Sequence, residues 1–179
     1  MVKHVSFRRM TQADLPKLWS ISFGPEADLE WMKFNGPYFN DPILTWPEFS
    51  ESFTSKRVDN PGYAVICVDD EPVGMLSSYF EDGDLGYWLE VGLVVYDANQ
   101  WGNGIGQQVL KPWIAFLFNT YPRIQHIGFT TWSGNQRMMA LGERIGMKLE
   151  GQIRAVRYWQ GEFYDSVKYG ILRSEMEQM

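Results

Sequence analysis

The stretch from Trp88 to Phe118 constrains the fold of this chain more than any other. A β-rich run, Trp88 to Tyr96, leads into three glycines at alternate positions, Gly102, Gly104 and Gly106, and an apolar-periodic run follows from about Ile105 to Phe118. Strand, glycine turn and helix together make an anion site, because glycines let successive main-chain amides turn toward a ligand at the positive end of the helix. The spacing then sorts among ligands. A dinucleotide fingerprint needs G-x-G-x-x-G and an acid about 20 positions on; this chain has G-x-G-x-G and no acid there. A Walker loop needs Lys and then Ser or Thr after its last glycine, where this chain has Gln107-Gln108.

The distribution of charge supports an anionic ligand. Acids outnumber bases by 22 to 16, a formal charge of -6, yet none falls between Ala98 and Gly142, a window that keeps Lys111, Arg123, His126 and Arg137. Carboxylates close to a polyanion would repel it strongly wherever water is partly excluded. The net negative charge argues against a nucleic-acid partner, which calls for a basic face. With 179 residues, 45% of them hydrophobic, the chain has the material for one sizeable core, and one domain over residues 1–179 is expected. Met1 to Arg9 has no apolar h-region, and no stretch approaches the roughly 18 apolar residues of a membrane span. The expectation is a soluble, cytoplasmic protein without a membrane partner. Cys67 is the only cysteine and there are two histidines, so neither a disulfide nor a thiolate-rich zinc site is expected, and Cys67 reads as a buried, inert thiol.

Along the chain, His4 to Arg9 reads as a strand, and Thr11-x-x-Asp14 as a capping box opening a helix with Leu15, Leu18, Trp19 and Ser22. Pro25 to Phe34 and Pro47 to Lys56 read as two short helices. Gly62–Val68 and Val73–Phe80 form a hairpin around Asp69-Asp70-Glu71-Pro72, and Trp88–Tyr96 a third β run. Pro112 should kink the helix that follows the glycine turn. Ile124–Thr130 is a strand and Asn135–Ile145 a helix. Lys148–Arg157 and Phe163–Leu172 are a closing hairpin around Gln160-Gly161. The fold class is α/β, a mixed, mostly antiparallel central sheet of about seven strands flanked by helices.

Trp101-Gly102-Asn103-Gly104-Ile105-Gly106 after a strand resembles the [QR]-x-x-G-x-[GA] pyrophosphate loop of the GNAT (Gcn5-related N-acetyltransferase) superfamily. Asn135 to Met147, with Leu141, Glu143, Arg144, Ile145 and Gly146, resembles that family's N-x-x-[SA]-x-x-L-x-E-K-x-G-F segment. Gly151, Arg154, Gly161 and Tyr164-Asp165 resemble the closing hairpin of its ribosomal-protein N-terminal (RimJ/RimL-like) subgroup. The resemblance covers nearly the whole chain except Phe23 to Asn60. It implies an acyl-CoA N-acyltransferase fold with acetyl-CoA as cosubstrate and no metal. The partners implied are acetyl-CoA and a primary amine, either a small molecule or a peptide N-terminus, with a homodimer allowed. Carried over, Val94, Val95 and Tyr96 would bond the pantetheine arm. Trp101, Gly102, Asn103, Gly104, Ile105, Gly106 and Gln107 would form the pyrophosphate loop, and Asn135 would bond the pantetheine from the far side.

The family's usual acids, Ser three residues and Tyr seven residues after the Asn, are Met138 and Gly142 here. Tyr96 and Tyr158 are then the candidate acids, unless the thiolate leaves unassisted. Glu90 is the preferred general base, since it shares a strand face with Trp88 and Gly92; His126 and His4 read as surface or satisfied histidines. The aromatics Trp31, Phe34, Tyr38, Phe39, Trp46, Phe49 and Phe53 read mainly as core or lid, with one or two lining an acceptor pocket beside Glu26, Asp28 and Glu30. Two other readings are a non-catalytic acyl-CoA binding or sensor module, kept open by Met138 and Gly142, and transfer of a longer acyl group, which predicts a roomy pocket beside Gly92 and Val94.

Overall fold

A computed structural model describes residues 4–178. Seven strands form one sheet in the order β1-β2-β3-β4-β5-β7-β6. They are β1 (Val5–Arg9), β2 (Tyr63–Val68), β3 (Glu71–Phe80), β4 (Trp88–Val95), β5 (His126–Trp132), β6 (Lys148–Trp159) and β7 (Glu162–Leu172). The helices are α1 (Leu15–Ser22), α2 (Trp46–Lys56), α3 (Ile105–Thr120), α4 (Gln136–Arg144) and α5 (Arg173–Glu177). Every strand pair is antiparallel except β4 with β5. The sheet and its flanking helices match the expected class.

Strand β2 shows how the two faces are filled. Ala64, Ile66 and Val68 point into the core shared with α3, whereas Val65 and Cys67 point to the side covered by α1 and α2. Successive strand residues face opposite ways, and here both faces are covered, so the run from Ala64 to Val68 is apolar throughout. Val109, Leu110, Trp113, Ile114 and Leu117 of α3 press on one face; Leu15, Leu18, Phe49 and Phe53 of α1 and α2 press on the other. Cys67 is buried, and burial pushes its thiol pKa up, which suits an inert packing role.

Several local expectations are met. Asp14 accepts from the Thr11 amide at 2.8 Å and takes two hydrogen bonds from the Arg8 guanidinium, at 2.9 and 2.6 Å. Asp69 and Asp70 both adopt positive φ, 50° and 67°, so the β2–β3 turn is a tight two-residue one and β3 starts at Glu71, earlier than expected. Gln160 and Gly161 do the same at the β6–β7 turn. Helix α3 runs on through Pro112, which is on the exposed side, where water can satisfy the freed carbonyl.

One expected helix is absent. Pro25 to Phe34 holds only a single 3-10 turn, Glu30–Lys33, entered through Leu29 at φ 56°. The left-handed residue breaks any continuous helix. Asp28 instead accepts from the Glu30 amide at 3.0 Å and from the Ala98 amide at 3.0 Å, tying this segment to the approach of the glycine turn.

The feature that positions the site is a parting of the sheet. Strands β4 and β5 pair at only three positions, Trp88 with His126, Leu89 with Ile127 and Glu90 with Gly128. Beyond Glu90 the first continues against β3 and the second against β7. Among the described residues no helix is long and apolar enough to cross a membrane.

Candidate active site

The parting of β4 and β5 opens a cleft of about 920 Å³. Val91 to Val95 form one wall, Phe129 to Trp132 the other, and the glycine turn with the start of α4 closes one end.

The three glycines of the turn serve different needs. Gly102 and Gly104 have φ of 79° and 77°, conformations that L residues adopt only under strain. A Cβ on Gly102 would meet nothing within 4 Å, and one on Gly104 only the end of Gln108 at 3.8 Å, so the outer face of the turn is open. Gly106 is there for packing: its Cβ would lie 2.9 Å from Leu141 of α4. Ile105 is buried and anchors the first turn of α3, leaving the amides of Ile105, Gly106 and Gln107 without intrahelical partners. Arg137 and Arg144 of α4 line the same end, and the lining acids, Asp41 and Glu81, belong to other segments. These parts fit a diphosphate. Of the cations in the acid-free window only Arg137 lines the cleft; His126 pairs with Glu150 at 2.7 Å and Arg123 bonds Tyr87. Asn103 turns its side chain back to the Gln100 carbonyl at 3.1 Å.

The register divides the main chain of β4 between two directions. Tyr96 donates its amide to Val73 at 3.0 Å, and the Val94 carbonyl lies against β3, 2.1 Å from where a Cβ on Gly74 would stand. Val94 and Tyr96 therefore bond the sheet, and alternation turns the polar groups of Val91, Leu93 and Val95 to the gap. The Val95 carbonyl already accepts from the Trp101 indole at 2.8 Å. Val91 and Leu93 were missed in the sequence, because only the pairing register tells which residues face the opening.

Asn135 caps α4 by accepting from the Met138 amide at 3.2 Å and donates to the Phe34 carbonyl at 3.2 Å. The Trp132 indole donates to the same carbonyl at 3.3 Å. The segment around Phe34 thus bridges the two walls, reinforced by Arg137 over the Phe34 and Trp101 rings at 5.2 and 4.7 Å. Met138 lines the cleft, but position 142 does not. A Cβ on Gly142 would stand 2.7 Å from Phe129, so this position faces the core and no tyrosine there could reach the gap.

Glu90 lies at the closed end of the parting, only 2% exposed. It accepts from the Tyr79 hydroxyl at 3.0 Å, from Thr130 at 2.8 and 3.0 Å, and from the Lys168 ammonium at 3.0 Å. Tyr79, Thr130 and Lys168 line the cleft while Glu90 itself does not, so the carboxylate sits beneath a floor of donors. Burial and the neighbouring Glu90 charge push the Tyr79 pKa up, keeping its hydroxyl protonated.

Tyr96 is buried and lines a second cleft of about 610 Å³ instead of the first. Burial pushes its pKa up to about 12. Tyr158 lines neither cleft and is 57% exposed on β6 beside Phe163. Glu26, Asp28 and Glu30 also line neither; Asp28 braces the loop and Glu30 pairs with Lys33. Asp41, which lines both clefts, and Glu81 are the acids in their place. Trp31, Phe34, Tyr38 and Phe39 line the cleft, Phe49 is core, and Trp46 packs on Trp19. Among the described residues no cluster of His, Cys, Asp and Glu could hold a metal ion.

A sheet parted beside a glycine-capped helix N-terminus defines the acyl-CoA acetyltransferase class. Residues 4–148 match the family model described as an acetyltransferase (GNAT) domain, and the chain belongs to that family of acetyl-CoA dependent acetyltransferases. It is 29% identical over 130 residues to YokL of Bacillus subtilis, a prophage-derived uncharacterized N-acetyltransferase, covering 70% of each chain. It is 22% identical to YdaF of the same organism, provisionally named a ribosomal N-acetyltransferase, covering 98% of this chain and 94% of that one. A solved structure of spermidine N-acetyltransferase from Vibrio cholerae, in complex with CoA and spermine, superposes with a TM-score of 0.77 at 17% identity, over 97% of this chain and 98% of that one.

Proposed function

We propose that the chain, as one domain, moves an acetyl group from acetyl-CoA directly to a primary amine, without a covalent enzyme intermediate. The observation that carries this reading is the parted β4 edge lying between the glycine turn and Glu90. Gly102, Asn103 and Gly104, with the amides of Ile105, Gly106 and Gln107, hold the diphosphate, assisted by Arg137 and Arg144. Main-chain groups of Val91, Leu93 and Val95 align the pantetheine arm and polarise the acetyl carbonyl. Acetyl-CoA supplies an activated acyl carbon, to which the amine nitrogen bonds as the C–S bond breaks and CoA departs as the thiol.

An amine attacks only when uncharged, so an acceptor with a pKa near 10 needs a base. Glu90 takes that proton through Tyr79, whose hydroxyl donates to Glu90 while facing both clefts. A thiol pKa of about 8.5 lets the sulfur leave without a dedicated acid, and Tyr96 serves the acceptor pocket instead. The acyl group is taken as acetyl; the Ser77 hydroxyl, 2.6 Å from where a Cβ on Gly92 would stand, takes up the space directly beside Gly92, and donors of increasing acyl length in a thiol-release assay test this.

An amine panel with acetyl-CoA and a thiol reagent tests the reading on wild type, Tyr79→Phe and Glu90→Gln. Wild type should release thiol only with an acceptor. The variants should lose about 10²-fold or more in kcat near neutral pH, partly recovered at high pH where the amine deprotonates unaided. Tight CoA binding with no acceptor-dependent thiol release would establish a binding module instead.

A further inference from the structure

The second cleft, about 610 Å³, adjoins the first along Trp31, Asp41, Tyr79 and Val94, so a molecule in it reaches the parted edge of β4. Its lining also holds a cation that the site described so far does not use, beside Met75, the cross-strand partner of Val94. Arg57, at the C-terminal end of α2, lies with its guanidinium over the Phe53 ring at 4.0 Å and near Tyr63 at 5.4 Å. Its Nη1 has only the Met75 sulfur, at 3.5 Å, and its Nε is buried without a hydrogen-bond partner among the described residues.

Among the described residues no carboxylate pairs with Arg57, although this protein carries 22 acids. The other charged residues lining this cleft are Asp41 and Lys33, and Lys33 is held by Glu30 at 2.7 Å. A guanidinium with unfilled donors, set in a wall of aromatic rings, is an unmet demand for a planar anion. The Tyr96 and Tyr63 side chains line the same cleft, and the Arg57 charge acts on the Tyr96 hydroxyl, which stays protonated. The rest of the lining is largely apolar, with Phe23, Met32, Leu44 and Phe53.

We infer that the acceptor is an amino carboxylate with an apolar body, its carboxylate on Arg57 and its amine at the wall shared by Asp41, Tyr79 and Val94. This rests on the acetyltransferase reading above and names the substrate class of that site. It sets the protein apart from the structurally similar spermidine enzyme, because a polycation would meet the Arg57 charge in a partly dehydrated pocket.

The test uses matched pairs differing only in the carboxylate: phenylalanine with phenethylamine, tryptophan with tryptamine, and methionine with 3-(methylthio)propylamine. Wild type should favour the carboxylate partner in kcat/KM by about tenfold or more, the worth of one charge-assisted contact. Arg57→Gln should erase that ratio and Arg57→Lys retain part of it; because each ratio is taken within one variant, partial misfolding cancels. Binding of 3-phenylpropionate, which has no amine to acetylate, gives a readout independent of turnover and should be lost in Arg57→Gln. A wild type that prefers the decarboxylated amines or spermidine, or an unchanged ratio in Arg57→Gln, overturns the inference while leaving the acetyltransferase intact. Absence of acceptor-dependent thiol release with every amine and amino carboxylate instead removes the reading on which it rests.

Discussion

Replacing Gly104 by Ala and by Asp separates backbone strain from charge at the glycine turn. At φ 77° either residue is strained, by about 1–2 kcal/mol. Neither clashes, since a Cβ there meets only Gln108 at 3.8 Å. Asp adds a negative charge at the N-terminus of α3, which favours the helix by about 0.3–1 kcal/mol, so Gly104→Asp should melt no lower than Gly104→Ala. A diphosphate held by the Ile105–Gln107 amides would lie about 6 Å from that carboxylate. Each phosphate charge is then opposed by about 3 kcal/mol at an effective dielectric near 20. Two such charges, with salt screening removing half or more, leave about 2–3 kcal/mol, a Kd weaker by about 30- to 150-fold. Calorimetric titration of CoA at low and high salt reads this directly: Asp should bind far more weakly than Ala, and the gap should narrow as salt rises. Equal Kd values for the two variants would show that the diphosphate does not lie at this turn.

Two stability predictions follow from neighbouring packing. Burial works to raise the Asp14 pKa, but the Arg8 and Thr11 hydrogen bonds outweigh it and hold the carboxyl below its ordinary range. The unfolded chain therefore binds the extra proton first, so this stabilisation is complete above about pH 4 and lost as pH falls through the depressed folded value. Urea unfolding should show Asp14→Asn less stable by about 2 kcal/mol at pH 7, the difference closing in acid; a gap that does not change with pH contradicts the assignment. Gly142→Ala puts a methyl 2.7 Å from Phe129, and an overpacking cost of about 1–3 kcal/mol should exceed the helix gain of about 1 kcal/mol. Its Tm should fall by a few degrees, and a rise would mean that α4 shifts outward freely.

What could be read in the sequence was local. Gly102 and Gly104 act through their own φ angles, and their spacing announces a turn; Gly106 acts through Leu141, on another helix, so its reason is visible only in the fold. The strand expected at Ile124–Thr130 lies two residues on, at His126–Trp132. Alternation groups Glu90 with Trp88 and Gly92 and leads one to expect it facing the acceptor cleft, yet its carboxylate lies beneath donors from β3, β5 and β7 that line the cleft instead. No pattern within β4 could announce that.

The misreading of Pro25 to Phe34 and the silence of Arg57 have one cause. Aromatics at helical spacing promise a helix only if their partners are nearby, but the Phe34 carbonyl is held by Trp132 and Asn135, about a hundred residues away. Arg57 follows Lys56 at the end of α2 and reads as a cation suited to a helix C-terminus. Only with Tyr63 and Met75 of β2 and β3 beside it does Arg57 become a half-buried guanidinium whose buried Nε lacks a hydrogen-bond partner among the described residues. The proposed cofactor recognition uses main-chain amides in a short turn and leaves a sequence pattern. The proposed acceptor recognition draws single side chains from α2, β2, β3 and an irregular loop, each unremarkable alone, so on that reading this half of the chemistry is written only in the packing.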